Sequence, residues 1–344
     1  MKNYIQLKSL NTFRISVFAA QVIKIYDVYA LIKHWKNTYY KAQPVLILGR
    51  GSNVLFLDNF IGTILINKIK GIFVTEYNKI WRLRVGAGEK WDKLVTYAIN
   101  HNIPGLENLA CIPGSVGAAP IHNIGAYGIE LSKICEYVDI IDLYNEKVIR
   151  FTHEECLFQY RSSIFKNILK NYAIIFVGLK LSKKWKPILN YGELNCLKKH
   201  YITPKQIFKF IRKIRYNKIP NVKKTGNAGS FFKNPIINAK KAYNLLSLYP
   251  NMPYYRQIDG AMKLSAGWLI DNCSLKGYIL GRAAIYSKQS LILINNKNMA
   301  NGTEIAALAL YIYTSVAKKF NIYLQPEVIF IGKHGKINPK KIFL

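Results

Sequence analysis

The stretch "IPGSVGAAPIHNIGAYG", Ile112 to Gly128, constrains this chain more than any other. Gly114, Gly117, Gly125 and Gly128 sit among alanine, serine and proline, so the segment has few large side chains to pack with. Its use would be to bring backbone close to something flat or anionic. A long connecting loop is the plainer reading, but loops this long and this rich in small residues are more often functional. A second glycine turn, "LGRGSN" (Leu48 to Asn53), follows the apolar run "PVLILG". It lacks the third glycine of a dinucleotide fingerprint, and Val54, Leu55 and Phe56 continue as strand, so neither a Rossmann loop nor a P-loop fits. Its amides, with Ser52 and Asn53, can hold phosphate oxygens; an ordinary hairpin turn is the alternative.

Periodicity places both turns in a mixed chain. "WRLRVGAG" (81–88) alternates like a half-buried strand, and 89–103 has helical spacing with Trp91, Leu94, Val95, Ala98 and Ile99 on one face. Residues 203–218 read as a helix opened by Thr203 and Pro204. Later segments read as helices around 239–250, 265–273 and 303–320, with strands at "SLILIN" and "IYLQPEVIFIG". Strands and helices mix without a regular β-α-β beat, which predicts an α+β fold.

The 344 residues are 50% hydrophobic, as in a globular chain long enough for two or three domains. Five scattered cysteines with no Cys-x-x-Cys pair read as reduced thiols, not disulfides or a zinc site. His153-Glu154-Glu155-Cys156 brushes a metalloprotease pattern, but Leu157 stands where the second ligand belongs, so no metal is expected. No apolar run reaches the about 18 residues of a membrane span, and "ISVFAA" is too short for a signal-peptide core. The expectation is a cytoplasmic protein. The net charge of +32 raises a nucleic-acid surface. The lysines are spread along the whole chain among Ile, Asn and Tyr, types encoded by A/T-rich codons, which favours compositional drift with solvated lysines.

Three single residues stand out. Arg161 in "QYRSSIFK" has no nearby acid; it is either a surface arginine or a fork that clamps a carboxylate. Ser230 in "GNAGSFFKNP" follows what reads as a tight turn, where glycines permit close approach to a bound molecule. Glu327 in "QPEVIF" sits where Pro326 is expected to start a buried strand, so it is either an edge charge or a general acid whose pKa burial raises.

Together "LGRGSNVLF", "GLENLACIPGSVGAAPIHNIGAYG", "YRSSIFK", "GNAGSFFKNP", "AGWLID" and "QPEVIFIG" closely resemble the UDP-N-acetylenolpyruvoylglucosamine reductase family, in order and over nearly the whole chain. "ILNYGEL" (188–194) resembles the type I form, in which a tyrosine loop folds over substrate. The resemblance implies an α+β chain with a two-part FAD-binding unit of the vanillyl-alcohol-oxidase type and a C-terminal substrate domain. Its implied boundaries are residues 1–67 with 320–344, residues 68–218, and residues 219–319.

The implied cofactors are FAD, with NADPH as reductant. Gly49, Gly51, Ser52, Asn53, Pro113, Gly114, Gly117, Ile121, Gly125 and Arg215 match cofactor-binding positions. Tyr191, Lys218, Asn234, Tyr255 and Lys263 match substrate-contacting positions, and Arg161, Ser230 and Glu327 match catalytic ones. The implied reaction carries hydride to the enolpyruvyl methylene of a UDP-linked amino sugar, with a proton from Ser230 and charge stabilised by Arg161 and Glu327. Two positions depart from the pattern: Arg50 stands where an acid is expected, and Ala118-Ala119 replace a serine-bearing version. No nucleic-acid or membrane partner is expected, and a monomer is. Two rivals stay open: a same-fold FAD-dependent alcohol or sugar oxidase, and a basic nucleic-acid-binding protein.

Overall fold

A computed structural model of the chain describes residues 4–168, 171–197 and 201–343. The chain divides into two compact units. One comprises Ala20–Gly51 and Ile61–Asn217 and contains the glycine-rich tract. The other comprises Met1–Ala19, Ser52–Phe60 and Lys218–Leu344.

The tract unit is built on an antiparallel five-stranded sheet. Its strand order is Val148–Thr152, Cys135–Asp142, Tyr172–Ser182, Ile80–Gly86, Ile72–Glu76. Each face carries its own core. Ile174, Val177, Leu179 and Leu181 point to one, whereas Ala173 and Ile175 point to the other. Strict alternation would send Ile175 and Val177 to the same face. The register shift between Asp139 and Ile140 inserts an extra residue in the long strand and reverses the pattern there.

The first face packs on the helix Trp91–Asn100, whose buried residues are the five that the sequence placed on one face. It also packs on Ile207, Phe208 and Ile211 of the helix Pro204–Lys218. The second face packs on Leu31 and Trp35 of the helix Val28–Tyr39. Periodicity did not single out that helix, which is capped by Asp27 accepting from Ala30 N at 2.7 Å. "PVLILG" supplies the strand Val45–Leu48, parallel to Phe60–Asn67 in a smaller sheet.

The C-terminal unit holds three small sheets and the long helix Gly302–Phe320. That helix opens with a capping box: Glu304 N donates to Asn301 Oδ1 at 2.9 Å, and Asn301 N to Glu304 Oε2 at 2.8 Å. Buried rings of Phe13, Phe231, Phe232 and Phe330 meet edge to face, with Phe231–Phe232 centroids 5.1 Å apart. The mainly antiparallel sheets make the chain α+β, as the missing β-α-β beat predicts.

Two local expectations are corrected. "GNAGS" is a strand, Gly226–Ser230, not a tight turn; it pairs with Ile292–Asn295 through a bulge between Asn227 and Ser230. The strand in "QPEVIFIG" begins at Ile329, not at Pro326, so Glu327 lies just outside it. A bulge interrupts the first ladder, and the second stretch changes partner from Phe232 at Pro326 to Val54 at Ile329, neither of which alternation in the sequence reveals.

Candidate active site

The glycine-rich tract is tightly folded. Short 3₁₀ turns at Val116–Ala118 and Pro120–His122 lead to a hairpin, Gly125–Ala126 against Ile129–Glu130. Its two turn residues, Tyr127 and Gly128, have φ of 47° and 88°. Positive φ at both central residues is the hairpin geometry that matches strand twist. The tract docks by its backbone on the chain that follows the Ile80–Gly86 strand: Gly117 N donates to Ala87 O and Val116 N to Glu89 O, each at 2.9 Å. A Cβ on Gly117 would lie 2.5 Å from Ala87 Cβ, and one on Gly49 would lie 2.4 Å from Ser115 Oγ. Only glycine permits these approaches, which bring two amide-rich turns together.

Arg161 stands at the tip of a two-residue turn. Gln159 and Ser162 exchange both backbone hydrogen bonds at 3.0 Å, and Arg161 has φ of 52°. Left-handed backbone at a non-glycine residue costs about 1–2 kcal/mol, so an arginine here is held against its own preference. Its Nη2 donates to Gly125 O at 3.1 Å, which ties the guanidinium to the tract.

Tyr127, which the sequence reading passed over as part of the tract, links two expected groups. Its ring meets that of Tyr191 edge-on at 6.2 Å, and its phenol lies within the field of the Arg215 charge. Burial pushes the Tyr127 phenol up, against the opposing pull of the Arg215 charge. Asn108, 2% exposed, donates to Tyr127 O at 2.8 Å and to Ile188 O at 2.9 Å. It thereby fastens the hairpin to the start of the Tyr191 segment. An aromatic inside a glycine run, and a buried asparagine near it, were the available signals.

In the C-terminal unit Ser230 ends its bulged strand in an exposed position, whereas the next two residues, Phe231 and Phe232, are buried. Gly229 has φ of 72° and its amide donates to Asn227 Oδ1 at 3.0 Å. The two phenylalanines anchor the segment and the bulge turns the serine outward. Glu327 comes beside it: Glu327 N donates to Phe231 O at 2.8 Å and Lys233 N to Gln325 O at 2.9 Å. Asn53 fixes the same segment, donating through Nδ2 to Glu327 O at 3.1 Å and accepting from Ile329 N at 3.0 Å.

The remaining expected residues fall as follows. Gly49, Gly51, Pro113, Gly114, Gly117, Ile121, Gly125, Arg161, Tyr191 and Arg215 belong to the tract unit. Ser52, Asn53, Lys218, Ser230, Asn234, Tyr255, Lys263 and Glu327 belong to the C-terminal unit. Tyr255 and Lys263 face each other across paired strands, with the lysine Nζ 5.7 Å from the ring centroid. Asn234 Oδ1 accepts from Ala266 N at 3.0 Å at the start of the helix Ala266–Asp271. Lys218 is exposed at the end of its helix.

Family models match both parts of the chain. An FAD binding domain matches residues 19–152, and the UDP-N-acetylenolpyruvoylglucosamine reductase C-terminal domain matches 220–331. The reductase of that name from Blochmanniella pennsylvanica is 65% identical over 98% of this chain and 98% of its own. That from Pectobacterium atrosepticum is 52% identical over 97% of both. The chain belongs to the UDP-N-acetylenolpyruvoylglucosamine reductase family. The solved UDP-N-acetylenolpyruvylglucosamine reductase from Thermus caldophilus shares the family fold, with TM-score 0.64 at 24% identity over 95% of this chain and 98% of that one.

The residues of this reductase-family chain fit an FAD. The close backbone approaches at Gly49 and Gly117 pack these turns with no room for a side chain at either position. Gly51 and Gly114 add left-handed backbone, with φ of 60° and 128°. Arg215 has a buried Nε with no protein hydrogen-bond partner, a donor suited to an anionic or carbonyl group of a bound molecule.

Proposed function

We propose that this chain reduces the enolpyruvyl ether of UDP-N-acetylglucosamine to UDP-N-acetylmuramate for peptidoglycan precursor synthesis, with FAD as cofactor and NADPH as reductant. The observation that carries the reading is whole-length membership of the reductase family; the backbone bond from Glu327 N to the carbonyl of Phe231, the residue after Ser230, supports it. FAD, when bound, relays hydride from NADPH to the methylene carbon of the substrate. The turns at Gly49–Asn53 and Pro113–Gly125, with Ile121, would hold it through backbone amides, and Arg215 through its buried donor.

As hydride reaches the methylene, negative charge grows on the adjacent carbon and its carboxylate. Arg161 supplies a planar fork to that carboxylate, and a protonated Glu327 donates to the same developing charge. Ser230 Oγ gives its proton to the adjacent carbon, completing the saturated ether. The bulge supports this assignment because it exposes the hydroxyl on a segment anchored by buried rings. Tyr191 closes over the substrate, and Lys218, Asn234, Tyr255 and Lys263 contact its nucleotide and sugar parts.

We also read the enzyme as a cytoplasmic monomer that uses neither nucleic acid nor membrane. Its five cysteines are free, and hydrogen bonding to Cys156 together with burial pushes the Cys135 thiol up. No helix among the described residues is long and apolar enough to cross a membrane. The proposed functional division is residues 1–67 with 320–344, residues 68–218, and residues 219–319.

Purified protein should show a flavin absorbance spectrum. Given NADPH and the enolpyruvyl substrate without oxygen, it should form UDP-N-acetylmuramate with one NADPH consumed per product. A colourless protein that takes up no FAD overturns the reading. So does hydrogen peroxide formed in step with oxidation of an alcohol or sugar, which is the oxidase outcome.

A further inference from the structure

Arg161 is held in place by more than its own contacts. The turn Gln159–Ser162 and the residue after it, Ser163, meet the glycine tract at three points. Asn123 Nδ2 donates to Gln159 O at 3.2 Å, Arg161 Nη2 to Gly125 O at 3.1 Å, and Ser163 Oγ to Ile121 O at 3.1 Å. Lys166 Nζ donates to the Arg161 carbonyl at 2.5 Å. Asn123 is 1% exposed and itself left-handed, with φ of 42° and ψ of 60°. It also donates to Glu130 Oε2 and accepts from Ser132 N, both at 2.9 Å.

These contacts have a common consequence. The Arg161 backbone is left-handed, and an arginine released from constraint returns to the right-handed or extended region, which redirects its Cα–Cβ bond. The guanidinium would then leave Gly125. Lys166 grips the turn at the strained residue itself, with a charge-assisted hydrogen bond to its carbonyl. Asn123 grips the turn at its base, from a residue type that tolerates left-handed backbone. Neither contact is needed to close the turn, since Gln159 and Ser162 already exchange their own backbone bonds.

We infer that Lys166 and Asn123 are positioning residues for Arg161, holding the strained turn so that its guanidinium keeps one direction. The inference rests on the proposed role of Arg161 as the carboxylate clamp. Lys166 acts on Arg161 and not on the substrate, and Asn123 acts through the Gln159 carbonyl.

The test is a double-mutant cycle read on the two half-reactions by stopped flow. Lys166→Met should leave FAD retention, thermal stability and flavin reduction by NADPH close to the parent. Reoxidation by the enolpyruvyl substrate should slow by about ten- to a hundred-fold, the loss expected when a reacting group is misplaced by about 1 Å. Lys166→Arg, which can still donate to the carbonyl, should restore most of the rate. Asn123→Gly, which keeps the left-handed backbone but loses the amide, should slow the same step.

In the Arg161→Ala background, Lys166→Met should add nothing further, because the group that it positions is gone. Equal slowing by Lys166→Met in both backgrounds overturns the inference and makes Lys166 a direct substrate contact. A Lys166→Met rate equal to the parent overturns it too, with the clamp reading intact. Full substrate turnover by Arg161→Ala alone overturns the clamp and the inference with it.

Discussion

Ser230 shows at the residue scale how local backbone chooses a side chain's task. Its neighbours Phe231 and Phe232 are buried, and the bulge before it breaks the alternation that would otherwise set its direction. A hydroxyl is a weak acid in water, so the proposed proton transfer depends on position more than on intrinsic acidity. Ser230→Ala should be reduced by NADPH at close to the parent rate, while reoxidation by the enolpyruvyl substrate falls by about 10²-fold or more. Ser230→Cys should recover part of that loss, since a thiol with pKa about 8.5 gives up its proton more readily. Stopped-flow traces decide it: equal reoxidation rates for Ser230→Ala and the parent leave Ser230 as a strand-end residue only. Arg161 carries the complementary lesson. Nothing in "YRSSIFK" marks a left-handed residue, because arginine has no preference for that region; the strain emerges only when the turn is built.

The tract hairpin and the Tyr191 segment are joined at the scale of elements by one buried side chain. Asn108 donates two hydrogen bonds from a single Nδ2, to Tyr127 O and Ile188 O. Asn108→Ala removes two hydrogen bonds to partly buried carbonyls, each contributing about 0.5–1.5 kcal/mol. The variant should unfold at lower urea with a similar slope. It should also bind the enolpyruvyl substrate more weakly than it loses flavin reduction by NADPH, because a lid acts on the second ligand. Unchanged urea midpoint and unchanged substrate binding would remove Asn108 from this role. The elements themselves were largely legible. The helices 91–100 and 204–218 follow apolar spacing that the sequence states openly, and the second adds a Thr203 cap, whose Oγ1 accepts from Gln206 N at 3.3 Å. The Val28–Tyr39 helix was missed, although Leu31, Trp35 and Thr38 recur at helical spacing, because tyrosines and lysines between them blur the face.

Charge belongs to the whole molecule. A net +32 on 344 residues creates a positive field regardless of which lysine contributes. The proposed substrate carries a diphosphate and a carboxylate, so its encounter with the enzyme should be steered. Raising ionic strength from about 0.05 M to about 0.5 M shortens the screening length several-fold, and kcat/KM for the substrate should fall by about ten-fold. The value of kcat should change little, because contacts formed at close range are screened less. A salt-independent kcat/KM, compared at matched flavin content, would return the lysines to compositional drift without kinetic effect.

The sequence by itself determined the fold class and the glycine turns, and it named the groups proposed to do the chemistry. Periodicity of apolar residues is a local property, and so is the demand of a close backbone approach for glycine at Gly49 and Gly117. Motif order along the chain carried the family. Tertiary structure alone decided which of those groups meet and in what backbone state. The Gly226–Ser230 strand read as a turn because Gly229 serves a bulge, which exists only once Ile292–Asn295 pairs beside it. Glu327 read as a strand residue because proline and apolar neighbours look alike inside and just outside a ladder; Phe231 and Asn53, distant in sequence, fix its place through backbone bonds. The Asn123 and Lys166 contacts with the Arg161 turn were likewise invisible. A hydrogen bond between polar side chain and distant carbonyl leaves no period in the sequence, since its partner is set by the folded path of the chain and not by residue type.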